Sequence, residues 1–276
     1  MKPAPAACAA LVLLGTLFTI PALGARQQAP GEPDARLAFL RNARIVSWRP
    51  IGKGVTGSLR LTLTDGATTH DASFQSIDQQ ARPVDMSRGL RMAGELRFVD
   101  SYRYNLAAWE IARLVGLDHM MPPTVRRTYR GRVGALSWWV DDVMMDEAER
   151  ERLDAQPHDG LALARQRQRM QVFAELVRDT DRNKGNVLYT RTWDVVMLDF
   201  TRAFRLDTDT RLPANLTTCD GRLLASLRGL DAAAIKHVAD RYLTGYEVNA
   251  VLARRDRIVA HFDALVAARG TAAVLY

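Results

Sequence analysis

From Leu59 to Thr64 the chain alternates: Leu59, Leu61 and Leu63 fall on one side, Arg60, Thr62 and Thr64 on the other. That period of two predicts a half-buried strand. Ile45, Val46, Trp48 and Ile51 mark an earlier strand over 43–51, and a glycine-rich turn, Gly52-Lys53-Gly54-Val55-Thr56-Gly57-Ser58, joins the two. Asp65-Gly66 is a hairpin signal, and 72–77 reads as the third strand of an antiparallel meander. Residues 79–94, rich in Gln, Arg and Gly, read as an irregular excursion. The spacing then predicts a helix over 101–115, capped by Ser101 and ended by Gly116, with Leu106, Trp109, Ile111, Ala112 and Val115 on its apolar face. Pro122-Pro123 opens a strand over 124–129, Gly131 turns it, and 133–140 returns as a hydrophobic strand. Residues 43–140 therefore read as a small lobe of five strands and one helix.

The remainder, 141–276, is mostly helical. Asp141-Asp142 is a candidate hinge. A helix is predicted over 162–177. A polar loop over 179–189 leads into a short strand, and 193–198 is another strand. Helices follow over 223–230, 232–242 and 245–269, the last with the stripe Val248, Val251, Leu252, Ile258, Val259, Phe262 and Leu265. No internal repeat is present.

The 276 residues are enough for one large domain or two lobes sharing a cleft. The N-terminus carries export chemistry. Lys2 is a basic start, 7–20 is an uncharged run too short to be an ordinary spanning helix, and Ala22-Leu23-Gly24 offers small residues for cleavage. Residues 1–24 are thus expected to be a signal peptide that touches the membrane transiently and sends the rest to the periplasm or outside. The alternative is an uncleaved anchor. Residues 25–42, rich in Gln, Pro, Gly, Asp and Arg, read as a linker. Cys8 would leave with the signal, so Cys219 would be the one mature cysteine and no internal disulfide is expected. The net charge of +7 suits a phosphate-bearing ligand or an anionic surface. Aromatic and basic residues are not interleaved, so no nucleic-acid partner is expected.

The chemistry concentrates in Asp181-Arg182-Asn183-Lys184-Gly185-Asn186, followed by Leu198-Asp199-Phe200 at the end of an apolar strand. Phosphoryl transfer needs positioning and charge compensation more than covalent help. Asn186 and Asp199 offer hard oxygen ligands for Mg2+ or Mn2+. Asp181 offers a group to orient and deprotonate an acceptor. Trp138-Trp139 reads as lobe core, and Arg165, Arg167 and Arg169 as a solvated helix face.

These motifs resemble the catalytic and metal motifs of the phosphoinositide 3- and 4-kinase-like superfamily, which is similar in fold to HipA-type and secretory-pathway kinases. Asn105 to Glu110, Val115 to Asp118 and Pro122 to Val125 resemble bacterial members, and the likeness spans roughly residues 50–205. It implies an α+β, two-lobed protein-kinase-like fold: a small five-stranded antiparallel lobe with one helix, and a mainly helical C-terminal lobe. It implies an ATP site with Mg2+ or Mn2+. Asp181 would be the catalytic base, and Asn186 and Asp199 the metal ligands. Gly52, Lys53, Gly54, Thr56, Gly57 and Ser58 would cover the nucleotide, with Gln75, Glu110, Val140 and Asp141 around it. Glu110 would sit on the helix that orients a phosphate-anchoring lysine, and 139–143 would meet the adenine through backbone groups.

One departure matters. The resemblance calls for a lysine on the third strand, where this chain has Gln75. The lysines are Lys2, Lys53, Lys184 and Lys236. That leaves Lys53, or an arginine such as Arg97 or Arg103, to supply the charge. The functions in play are an exported phosphotransferase with a lipid, protein or small-molecule acceptor, an inactive kinase-fold (pseudokinase) binding module, and a nucleotidyl transferase on the same fold.

Overall fold

The computed structural model describes residue 1 and residues 33–52, 57–80, 99–212 and 214–276. The expected signal peptide beyond Met1, together with Lys53, Gly54, Thr56 and Arg97, lies outside the described residues.

Helix α1 (Pro33–Asn42) stands where the composition predicted the end of a linker. Its apolar residues Leu37, Phe39 and Leu40 are all buried. The lobe behind them makes the helix, which no local periodicity announces. Strands β1 (Arg44–Pro50), β2 (Leu59–Thr64) and β3 (Thr69–Gln75) follow as the expected meander. At the β2–β3 turn Gly66 takes φ 98°, and the Asp65 carboxylate accepts the N–H groups of Ala67 (3.0 Å) and Thr68 (2.7 Å). Two short strands, β4 (Asp78–Gln80) and β5 (Val99–Ser101), pair with each other and lead into helix α2 (Tyr102–Leu114). Ser101 caps α2 through Arg103 N–H, as expected. Strands β6 (Thr124–Tyr129) and β7 (Arg132–Trp138) complete an antiparallel five-stranded sheet in the order β1-β2-β3-β7-β6. Gly134 of β7 is required there: a Cβ would lie 2.3 Å from the Gln75 carbonyl oxygen.

Residues 139–142 carry the chain to the second lobe. Strand β8 (Val143–Asp146) and helix α3 (Glu147–Leu153) come first, then α4 (Gly160–Val177), β9 (Val187–Thr190) and β10 (Val195–Met197). These strands form a second sheet, β10-β9-β8. Helices α5 (Gly221–Gly229), α6 (Ala232–Ala239), α7 (Gly245–Arg269) and α8 (Thr271–Val274) finish the lobe. Phe173, Phe200, Phe204, Leu224 and Phe262 lie in its core. The arginines read as a solvated face of α4 are engaged: Arg167 pairs with Glu147 (2.9 Å), Arg169 with Asp220 (2.7 Å), and Arg165 lies over the Tyr276 ring.

Candidate active site

Three elements bring the polar residues of 179–202 together. The short helical turn just before β9 carries Asn186, the residues just after β10 carry Asp199, and the loop after α4 carries Asp181. Strand pairing does the first part: Met197 lies opposite Val187, and Leu198 N–H donates to the Asn186 carbonyl at 2.9 Å. Asn186 Nδ2 then donates to the Asp181 carbonyl at 3.1 Å.

Arg182 holds the loop from inside. Its guanidinium pairs with the buried Asp179 carboxylate and donates to the carbonyls of Asn186 (3.1 Å), Leu198 (2.5 Å) and Asp199 (3.4 Å). Its central carbon lies 4.2 Å from the centroid of the Phe200 ring. Burial pushes the Asp179 carboxyl up, against the pull of the Arg182 charge. The arginine thus gives three loop carbonyls and the buried carboxylate a charged donor.

Asp199 takes φ 52°, the left-handed region that costs a non-glycine residue conformational energy. Its carboxylate accepts from Thr201 Oγ1 (2.9 Å), Thr201 N–H (3.3 Å) and Gln75 Nε2 (3.3 Å). Among the described residues, all donors to this carboxylate are neutral. Asn186, with its Nδ2 committed to Asp181, keeps an amide oxygen. A carboxylate and an amide oxygen are hard donors of the kind a divalent cation takes.

Gln75 occupies the place of the expected lysine, and it is tied in. Asn105 Nδ2 donates to Gln75 Oε1 (2.5 Å), and Asn105 Oδ1 accepts Phe200 N–H (2.6 Å). Asn105 of α2 therefore meets Gln75 of β3. Glu110, expected there, pairs instead with Arg113 (3.8 Å), and burial pushes its carboxyl up. Five residues along a helix turn the side chain through about 140°, so the two positions face different neighbours.

The remaining expected residues are more peripheral. Gly52 is exposed, Gly57 takes φ 63°, and the Ser58 carbonyl closes the hairpin by accepting Ile51 N–H at 2.9 Å. Val140 is half-buried in the crossing. Asp141 is exposed, and its carboxylate lies 2.7 Å from His70 Nε2 of β3.

Three residues around the site escaped the sequence reading. Arg202 Nη1 lies 3.4 Å from the Asp181 carboxylate, and its Nε donates to the buried Asp100 at 3.2 Å. Asp100 sits in β5, about eighty residues before the loop it helps to hold, and no spacing rule links such positions. Asn105 lay inside a helix motif but without a signal for its partner.

No protein-family model matches the chain, and no curated protein matches it in sequence. Solved structures do match. A Golgi casein kinase aligns at TM-score 0.63 and 13% identity over 88% of this chain and 78% of its own. A Fam20 protein of hydra, solved with sugar, aligns at TM-score 0.61 and 13% identity over 87% and 90%. The proinflammatory kinase CtkA of Helicobacter pylori aligns at TM-score 0.51 and 13% identity over 81% and 96%. The Golgi casein kinase has also been solved with Mn and ADP bound. The chain has a protein-kinase-like fold.

Proposed function

We propose that the protein is a phosphotransferase that binds ATP with Mg2+ or Mn2+ between its lobes. The observation that carries this reading is the junction of Asp181, Asn186 and Asp199 across the β9–β10 pair, with Asn186 bonded to both the Asp181 and Leu198 backbones. Asn186 and Asp199 would hold the metal, which would screen the phosphate charge. Asp181 would accept the hydrogen bond of an acceptor hydroxyl and take its proton, with Arg202 fixing the carboxylate. The acceptor would be a lipid, protein or small molecule, selected by the segment 201–220. The N-terminal segment supports an exported protein, and the likeness to a Golgi kinase agrees with that.

Gln75 favours a second reading. It donates to Asp199 where the resemblance calls for a cation, which suits a kinase-fold binding module without catalysis. Nucleotidyl transfer on the same fold is a third reading.

Thermal unfolding with millimolar ATP and Mg2+ or Mn2+ tests binding, because a ligand of the native state raises the melting temperature by mass action. A shift is expected, and Asp199→Ala should remove its metal-dependent part. Asp181→Ala should keep the shift and lose turnover. No shift with either metal would sink both nucleotide-using readings.

A further inference from the structure

The cleft-facing side of the five-stranded sheet is polar and carries a flat cation. Gln75 reaches Asp199 of the other lobe, so its side chain marks the face of β3 turned to the cleft. Side chains alternate along a strand, so Ser73 and Asp71 share that face. Ala72 and Phe74 are buried on the opposite one. The register sets Arg60 opposite Ser73 and Thr62 opposite Asp71. Arg60 Nε donates to the Asp71 carboxylate at 2.5 Å, and the guanidinium carbon lies 3.9 Å from the centroid of the Trp139 ring. The pair Trp138-Trp139 was expected to be lobe core. Trp138 is, at 5% exposure, but Trp139 is half-buried at the start of the crossing and carries Arg60.

We propose that the Arg60–Trp139 stack is the platform for the nucleobase, a specificity determinant of the nucleotide site. This rests on the nucleotide-binding reading above. The triphosphate end of the ligand belongs at Asn186 and Asp199, beneath Gln75. Ser73 lies one side-chain repeat back from Gln75, about 7 Å along β3 toward the crossing. Arg60, opposite Ser73, therefore lies between the phosphate end and Trp139, where a base joined through ribose would fall. A guanidinium is planar, delocalised and weakly hydrated, so it stacks on π-systems. Here the indole covers one face and Asp71 holds one edge. Asp71 also offsets the charge, so the plate is suited to the face of a base more than to a phosphate. Arg60 remains 26% exposed, which leaves surface for such a contact.

The test compares ATP with inorganic tripolyphosphate, which lacks a base, in calorimetric titrations with Mn2+ and the full chain. Arg60→Ala should weaken ATP about tenfold and leave tripolyphosphate unchanged, given the usual worth of a base stack. Arg60→Lys keeps the charge and loses the plane, so it should weaken ATP similarly while preserving the fold. Equal losses for both ligands, an ATP affinity unchanged by Arg60→Ala, or a gain in ATP affinity would each overturn the platform. Full ATP affinity in Arg60→Lys would overturn it as well. If the wild-type protein binds neither ligand, the nucleotide reading fails and takes the platform with it. If it binds both equally, the platform alone fails.

Discussion

Arg202 stands three residues beyond the Asp199 carboxylate yet bonds to the other end of the site. Its ion pairs run to Asp181 (3.4 Å) and to the buried Asp100 (3.2 Å), so it sets where the Asp181 carboxylate points. If Asp181 is the base proposed above, small displacements of it are costly in rate, so Arg202→Ala should lower kcat about a hundredfold. The nucleotide KM should stay within about twofold, since binding energy comes from other groups. Arg202→Lys should recover part of kcat. Steady-state turnover to any accepted substrate, or to water, measures both constants. A parallel rise in KM would point to general disruption instead. Asp181, Asn186 and Asp199 stood out as candidates in the sequence because loop chemistry and strand ends keep fixed spacings. Arg202, Asp100 and Asn105 were not, because their partners lie 21 or more residues away and are chosen by topology.

Among the elements, β8 and α3 show what periodicity misses. Val143-Met144-Met145 is too short a run to signal a strand, and α3 is nearly all charged. Pairing across the fold makes them. Glu147 of α3 is buried, and it receives hydrogen bonds from Arg150 (2.7 Å) and Tyr189 of β9 (2.5 Å) and the charge of Arg167 of α4. Burial alone would raise the Glu147 carboxyl, but these cationic and hydroxyl donors outweigh it and pull it from 4.5 to about 2. A carboxyl lowered in the folded state contributes stability that is full above its unfolded value and fades as pH falls through the folded one. Glu147→Gln should therefore melt several degrees lower than wild type near neutral pH, by about 3–5 kcal/mol of broken buried pairing at most. The gap should close between pH 4.5 and about 2, the window set by those two values. Melting curves across that range decide it, and a gap independent of pH would contradict the charge account. At the start of α7 the structure closes a capping box between Thr244 and Glu247 at both ends. Thr244→Ala should cost about 1 kcal/mol in urea unfolding.

At the scale of the molecule, the first turns of α2 join the lobes. Ser101 N–H donates to the Thr201 carbonyl at 2.9 Å, Tyr104 pairs with Glu247 of α7, and Asn105 links Gln75 to Phe200. Asn105→Ala would strand the buried Phe200 N–H and loosen Gln75. It should cost about 1–3 kcal/mol of stability, measured by urea unfolding, with faster hydrogen exchange at Phe200. Unchanged exchange there would argue that the lobes are held without this link.

The amino-acid sequence by itself determined the two-lobed plan, the five strands of the first sheet, helix α2 and the loop and strand end that carry Asp181, Asn186 and Asp199. Those features rest on local periodicity, turn chemistry and short spacings. The tertiary structure decided which polar groups meet: Gln75 with Asn105 and Asp199, Arg202 with Asp181 and Asp100, and Arg60 with Trp139. It also made a helix of 33–42, where the polar composition read as linker. Such contacts depend on strand register and lobe packing, which bring distant positions together without leaving a local pattern.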